Sequence, residues 1–282
     1  MEYALELNDV SKTYKNFKLD HISLKLPKGS IMGFVGENGS GKSTTIKLIT
    51  DIIKKETGKI YILGKDNNKL SRVIYENIGV VLDECCVPEN LNIKDINKVL
   101  SSIYKTWDSK KFYDFIVRFQ LPKDKVVKDF SKGMKMKLSI AVALSHATEL
   151  LILDEATSGL DPIVRDEILD VFLEFIQEES HSILMSSHII SDLEKVCDYI
   201  CFIHKGNIIF TESKDDLLER YKVLKCSLSE FNSVNQSAVI GYRKNSFGVE
   251  ALVLKDKLKG NYLVDEASIE DIMLFYIKGE KQ

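Results

Sequence analysis

The sequence predicts an α/β fold: a parallel sheet covered on both faces, an antiparallel β layer at the start, a helical insertion, and a small α+β appendage at the end. Three observations predict it. Apolar strands at residues 150–153, 182–185 (after its opening Ser182) and 199–203 each follow a helical stretch or turn, as parallel strands buried on both faces do. Glycine crowds the first third, at positions 29, 33, 36, 39, 41, 58, 64 and 79. It costs up to about 1 kcal/mol inside regular elements, so the crowding marks loops where the backbone turns or meets a ligand. Beyond Tyr221 the pattern changes to short alternating stretches.

In chain order, residues 3–7 and 19–26 alternate as strands of the antiparallel layer. Residues 30–35 form a short buried strand running into glycine-rich sequence, and 42–53 has helical periodicity. Residues 59–63 and 78–82 read as strands. From 93 to 120 two apolar stripes, Ile93/Ile96/Leu100/Ile103 and Phe112/Phe115/Ile116/Phe119, predict helices, and a third spans about 131–147. The expected division is a core over 1–220, with its helical subdomain at about 90–147, and an accessory unit over 221–282. In that unit 223–228, 251–254 and 262–264 alternate, and 268–277 is an amphipathic helix.

At 282 residues the chain accommodates one large domain, or about 200 residues plus an appendage. A net charge of -3 argues against a dominant nucleic-acid surface. No apolar run approaches the roughly 20 residues needed to cross a bilayer, and the first residues lack a signal-peptide pattern, so a cytoplasmic protein is expected. Five cysteines (85, 86, 197, 201, 226) are an odd number, for which reduced thiols are the expectation. Cys197 and Cys201 are spaced to share a helix turn, yet no further Cys or His recurs at ligand spacing, so they read as small hydrophobes.

Gly36-Glu37-Asn38-Gly39-Ser40-Gly41-Lys42-Ser43-Thr44 fits the G-x-x-x-x-G-K-[ST] phosphate loop, between a predicted strand and a predicted helix. Its glycines let backbone N–H groups curl round phosphates at the positive end of the helix. Lys42 is placed for the β and γ phosphates, and Ser43 for Mg²⁺. These residues make the fold a P-loop NTPase core and ATP with Mg²⁺ its expected ligands. The loop alone leaves kinases, GTPases, helicases and transport ATPases open.

The strand at 150–153 ends in Asp154-Glu155. Asp154 suits Mg²⁺, and Glu155 suits the polarisation of a water for attack on the γ-phosphate; the plain alternative is a pair of acids solvating a strand end. Gly159-Leu160-Asp161-Pro162 reads as a tight turn before a helix that Pro162 opens. His188 follows a strand at the edge where ligands gather in open α/β sheets. His21, His146, His181 and His204 lack such a setting and read as structural.

The order GENGSGKST, SKGMK, LLILDEATSGLDP and SSH resembles the nucleotide-binding subunit of ABC transporters over residues 1 to about 215. The resemblance implies that Ser131, Lys132, Gly133 and Met134 form the signature that contacts the γ-phosphate held by an opposite subunit. It also implies that Tyr14 stacks on adenine, Gly159–Asp161 lie at the dimer seam, and a transmembrane permease subunit is driven by a homodimer or heterodimer peripheral on the cytoplasmic face of the membrane. Tyr14 also reads as a half-buried strand residue. Two departures stand out: Lys132 and Met134 replace the usual signature glycine and glutamine, and Asp83-Glu84 stand where a glutamine normally touches Mg²⁺ and signals to the permease. Variants of this kind resemble exporter-type subunits. The rival reading is a soluble ATPase acting mechanically on ribosomes or DNA, whose usual second cassette, long coiled coil or basic surface is not visible in this sequence.

Overall fold

The computed structural model describes residues 2–69 and 72–280. β1 (Tyr3–Tyr14) and β2 (Phe17–Pro27) form a hairpin extended by β4 (Thr57–Ile62) and the two-residue β5 (Lys65–Asp66), in the order β2-β1-β4-β5. The second sheet holds β3 (Ile31–Val35), β6 (Ile78–Val81), β7 (Leu150–Asp154), β8 (Ser182–Ser187), β9 (Tyr199–His204) and β10 (Asn207–Ser213), ordered β10-β9-β3-β8-β7-β6. All its pairings are parallel except that of β10 with β9.

Period-two burial explains why those short strands carry no polar face. Ile31 and Val35 of β3, with Leu151 and Leu153 of β7, join one apolar cluster. Met32 and Phe34, with Leu150 and Ile152, join the other, on the opposite face. The second cluster also takes Leu5, Leu7 and Leu24 from the antiparallel layer and Ile46 and Ile49 from α1 (Lys42–Ile49). Helix α1 stops four residues short of the sequence expectation. Thr50 turns its hydroxyl back to the carbonyl of Ile46 (2.9 Å), and Asp51 takes a left-handed backbone (φ 58°), a conformation no right-handed helix can include.

After the short α2 (Arg72–Tyr75) and β6, the insertion comprises α3 (Ile93–Ile103), α4 (Ser109–Arg118) and α5 (Lys132–Leu144). Asn92 and Asp95 form a capping box for α3, and the Asp108 side chain caps α4. Glu76 ties the insertion to the sheet: its carboxylate accepts from the Lys105 and Thr106 backbone N–H groups at 2.9 and 2.8 Å, and from the Thr106 hydroxyl at 2.8 Å. His146 lies buried and stacked on Tyr104, 4.3 Å between centroids. Burial pushes its pKa down, as befits a ring serving as structure.

Then follow α6 (Pro162–Phe175), α7 (Ile190–Val196) and α8 (Lys214–Arg220). The final segment builds a third, antiparallel sheet from β11 (Tyr221–Cys226), β12 (Val239–Asn245), β13 (Gly248–Leu254) and β14 (Val264–Glu266), in the order β12-β13-β11-β14, together with α9 (Leu228–Phe231) and α10 (Ile269–Lys278). Three details differ from the sequence expectation. β12 is additional, Leu228 belongs to α9 rather than a strand, and the last strand sits at 264–266 rather than 262–264. Strand β10 is likewise additional. The final unit is joined to the core by apolar contact. Ile269, Ile272 and Phe275 of α10 belong to the main cluster, and Tyr276 lies against Phe202 and Phe210 while its hydroxyl meets that of Tyr221 at 2.7 Å.

Cys197 and Cys201 do not share a helix turn. Cys197 ends α7 and faces one apolar cluster, while Cys201 lies in β9 and faces the other. Burial raises both thiols, Cys201 to about 12. All five cysteines are free.

Candidate functional site

Strands β3, β8 and β7 are neighbours in the sheet, and their pairings set Val35 beside Ser187 and Asp154 beside Ser186. The loops leaving their carboxyl ends therefore converge. The 36–41 loop enters α1 through Gly41, whose left-handed backbone (φ 117°) and contact with Phe17 and Leu19 leave no room for a side chain. At Gly39, also left-handed, the space around an added Cβ is empty, so the loop is open on its concave side. Buried Ser40 has a hydroxyl without a hydrogen-bond partner among the described residues.

Lys42 is buried and folds back over the loop, its Nζ donating to the carbonyls of Gly36 (2.8 Å) and Glu37 (3.4 Å). The same Nζ lies 3.4 Å from Glu155 Oε1, and the other carboxylate oxygen of Glu155 meets His188 Nδ1 at 2.6 Å. Glu155 is thus held between an ammonium and an imidazole. Its backbone is left-handed (φ 53°), with the N–H directed at the Ser186 carbonyl (3.2 Å) and hydroxyl (3.1 Å). Such a conformation costs a non-glycine residue about 1 kcal/mol or more and persists where its surroundings fix it.

Asp154, the last residue of β7, points elsewhere, because the chain turns left-handed at Glu155. It is buried, and its Oδ1 accepts from the Ser186 hydroxyl (2.7 Å) and the Ser43 hydroxyl (3.2 Å). A carboxylate and a hydroxyl oxygen meeting beside a phosphate loop are hard oxygen donors of the kind that hold Mg²⁺ together with phosphate oxygens and water. The residues fit that ion.

The cleft in front of these groups has a volume of about 660 Å³. Asn38, Gly39, Gly41, Lys42, Ser43, Thr44, Asp83, Glu155 and His188 line it, as do Asn16, Phe17 and Ser158. Tyr14 does not: it stands 44% exposed at the end of β1, and across the hairpin it is Phe17 that reaches the loop. Glu84 also stays outside, in an adjoining groove. Sequence reasoning missed Phe17, Asn16 and Ser186. The serine stood within the Ser186-Ser187-His188 run, and only strand register reveals its partner.

The signature residues lie apart from this cleft. Ser131 caps α5, accepting from the Met134 N–H at 3.2 Å. Gly133 faces Leu160 and Val164, so the signature abuts the 159–161 turn of its own chain. In that turn Asp161 caps α6, accepting from the Ile163 and Val164 N–H groups at 3.2 and 3.0 Å.

Residues 19–158 match the ABC transporter family. The bacitracin transport ATP-binding protein BcrA of Bacillus licheniformis is 36% identical over 82% of this chain and 77% of its own length. The lantibiotic transport ATP-binding protein SrtF of Streptococcus pyogenes is 35% identical over 75% and 91%. Among solved structures, an ATP-binding subunit of an ABC transporter is 26% identical with a TM-score of 0.69, covering 76% of this chain and 91% of that one. An ATP-binding cassette in a post-hydrolysis dimer with ADP and Pi shares the fold, with 21% identity and a TM-score of 0.67. With a phosphate loop and a braced glutamate meeting at one cleft and a buried aspartate bonded to the Ser43 hydroxyl behind it, this chain belongs to the ATP-binding, ATP-hydrolysing subunits of ABC transporters.

Proposed function

We propose that two such subunits close face to face on two ATP molecules and that closure drives export through a separate membrane permease. The observation that carries this reading is the division of the site. The chain's own cleft gathers Lys42, Ser43, Glu155 and His188, while Ser131 and Gly133 present donors on a surface away from it, where only a second subunit's nucleotide can use them. Within one cleft Ser43 and Asp154 would hold Mg²⁺, which would supply neutralisation of phosphate charge. Glu155 accepts a proton from the attacking water, and Lys42 and His188 keep that carboxylate aimed. Asp83, which lines the cleft, is the coupling-loop carboxylate that would offer an oxygen to that ion. Phe17 takes the place at the base that Tyr14 was expected to fill.

Export is favoured because the similar relatives are named for bacitracin and lantibiotic transport. No described helix is long and apolar enough to cross a membrane, and the proposal assigns the membrane path to a permease. An apolar groove of about 310 Å³ between the sheet and the insertion, with Ile52, Tyr75, Val80 and Tyr104 on its walls, is the surface assigned to a short amphipathic segment of that permease, with the subunit peripheral on the cytoplasmic face of the membrane. The segment from Tyr221 on acts as an accessory unit that regulates or stabilises pairing. Affinity purification from detergent-solubilised membranes tests the reading: it should recover a polytopic membrane protein that raises ATP turnover. Recovery of ribosomes or DNA-bound factors without a membrane protein would overturn it.

A further inference from the structure

Beside the nucleotide cleft lies a second groove, of about 400 Å³, whose walls carry opposite charges. Asp83 and Glu84 line it from the end of β6, and Lys132 and Lys135 line it from the first turns of α5. The two lysines, three apart, share one helix face. Lys135 is committed to Glu89 at 2.6 Å. Lys132, Asp83 and Glu84 have no side-chain partner among the described residues, and the Lys132 ammonium stretches over the Gly159 turn, within 2.7 Å of where a Cβ would stand. Asp83 is the one residue of this group that also lines the nucleotide cleft. A carboxylate at that wall repels the phosphates unless a cation offsets it.

The loop between these walls is anchored at its far end only to the insertion: Lys128 N–H donates to the Glu89 carbonyl (2.9 Å) and Val127 N–H to that of Leu91 (3.0 Å). Movement of the insertion against the sheet therefore changes the gap between Lys132 and Asp83. We propose that Lys132 is the counter-charge of Asp83, leaving the Gly159 turn to pair with it when ATP fills the cleft, so that the two departures from the family pattern compensate each other. Lys132 is thus a positioning residue acting through Asp83. The inference rests on the cleft being the ATP site.

The test is a double-mutant cycle on the full chain, reading MgATP affinity by fluorescence titration alongside turnover. Lys132→Met keeps the apolar stem and removes the charge. It should weaken MgATP binding about five-fold in the parent, a typical size for coupled charges in contact, and change it by less than about two-fold in an Asp83→Asn background. Lys132→Arg should behave as the parent. Equal losses in both backgrounds would show that Lys132 acts on nucleotide directly. No loss in the parent, or a loss abolished by Glu84→Gln and not by Asp83→Asn, would equally overturn the pairing. Affinity and turnover fail separately: a parent that binds MgATP without hydrolysing it counts against the role of Glu155, while the affinity cycle still judges Lys132.

Discussion

The two nucleotide-related surfaces of this chain are built to different standards of completeness. At the phosphate loop nearly every polar side chain is already engaged: Lys42 with Gly36 and Glu155, Glu155 with His188, Asp154 with Ser43 and Ser186. At the signature, Ser131 caps its own helix, Gly133 faces the neighbouring turn, and Lys132 is unpaired among the described residues. A surface that satisfies itself can bind and orient ATP alone. On the proposed reading, the one left with spare donors acquires its purpose from a partner, and chemistry and assembly would lie in different parts of one chain.

Three experiments would break or sharpen that contrast. The largest effect belongs to Glu155→Gln, which keeps the shape and loses the proton acceptor. Turnover should fall by about 10²-fold or more, with ATP affinity within a few-fold and an ATP-dependent dimer by light scattering. Turnover at the parent rate would remove Glu155 from the reaction. Next, Ser131→Ala removes both a cap worth about 1 kcal/mol of stability and a donor for the partner. Turnover should drop about ten-fold, the cost of one or two charge-assisted hydrogen bonds, while ATP binding by the monomer stays at the parent value. A matching loss of monomer affinity would show that the signature serves its own cleft. The smallest change comes from Ser186→Ala, which removes one of the two hydroxyls donating to Asp154 Oδ1 and one of the two acceptors of the Glu155 N–H. The Mg²⁺ concentration for half-maximal turnover should rise about five-fold, equivalent to one lost hydrogen bond; an unchanged magnesium curve would detach Asp154 from the metal.

How much was legible in the sequence follows the same division. The phosphate loop and Asp154-Glu155 were readable because their chemistry requires contiguous residues, and β7 and the Ile183–Met185 centre of β8 because burial on both faces favours apolar residues. β10 was not readable: it is an edge strand, partly exposed, and its Asn207, Thr211 and Glu212 break the apolar pattern. β12 is interrupted at Gly241 and ends in Arg243-Lys244-Asn245. Helix α1 was overextended because Ile52 and Ile53 continue the apolar period past the left-handed Asp51. The Ser186–Asp154 contact joins residues 32 apart, and Tyr14 and Phe17 face each other across a hairpin; whether either reaches the loop depends on how the hairpin lies against the cleft, which spacing does not encode.

The left-handed backbone at Glu155 has a kinetic consequence. A glutamate in an ordinary extended conformation would sample several orientations and be recruited when substrate arrived. Here the left-handed main chain donates its N–H to the carbonyl and hydroxyl of Ser186, and Lys42 and His188 hold the carboxylate, so the side chain is oriented before a second subunit arrives. On the proposed mechanism the slow variable is the encounter of two subunits, which would scale with the square of their concentration when they are free and become intramolecular when a permease holds both. Dilute protein should idle with a loaded, fully aimed site, and bringing two copies together should raise turnover per subunit without altering Glu155.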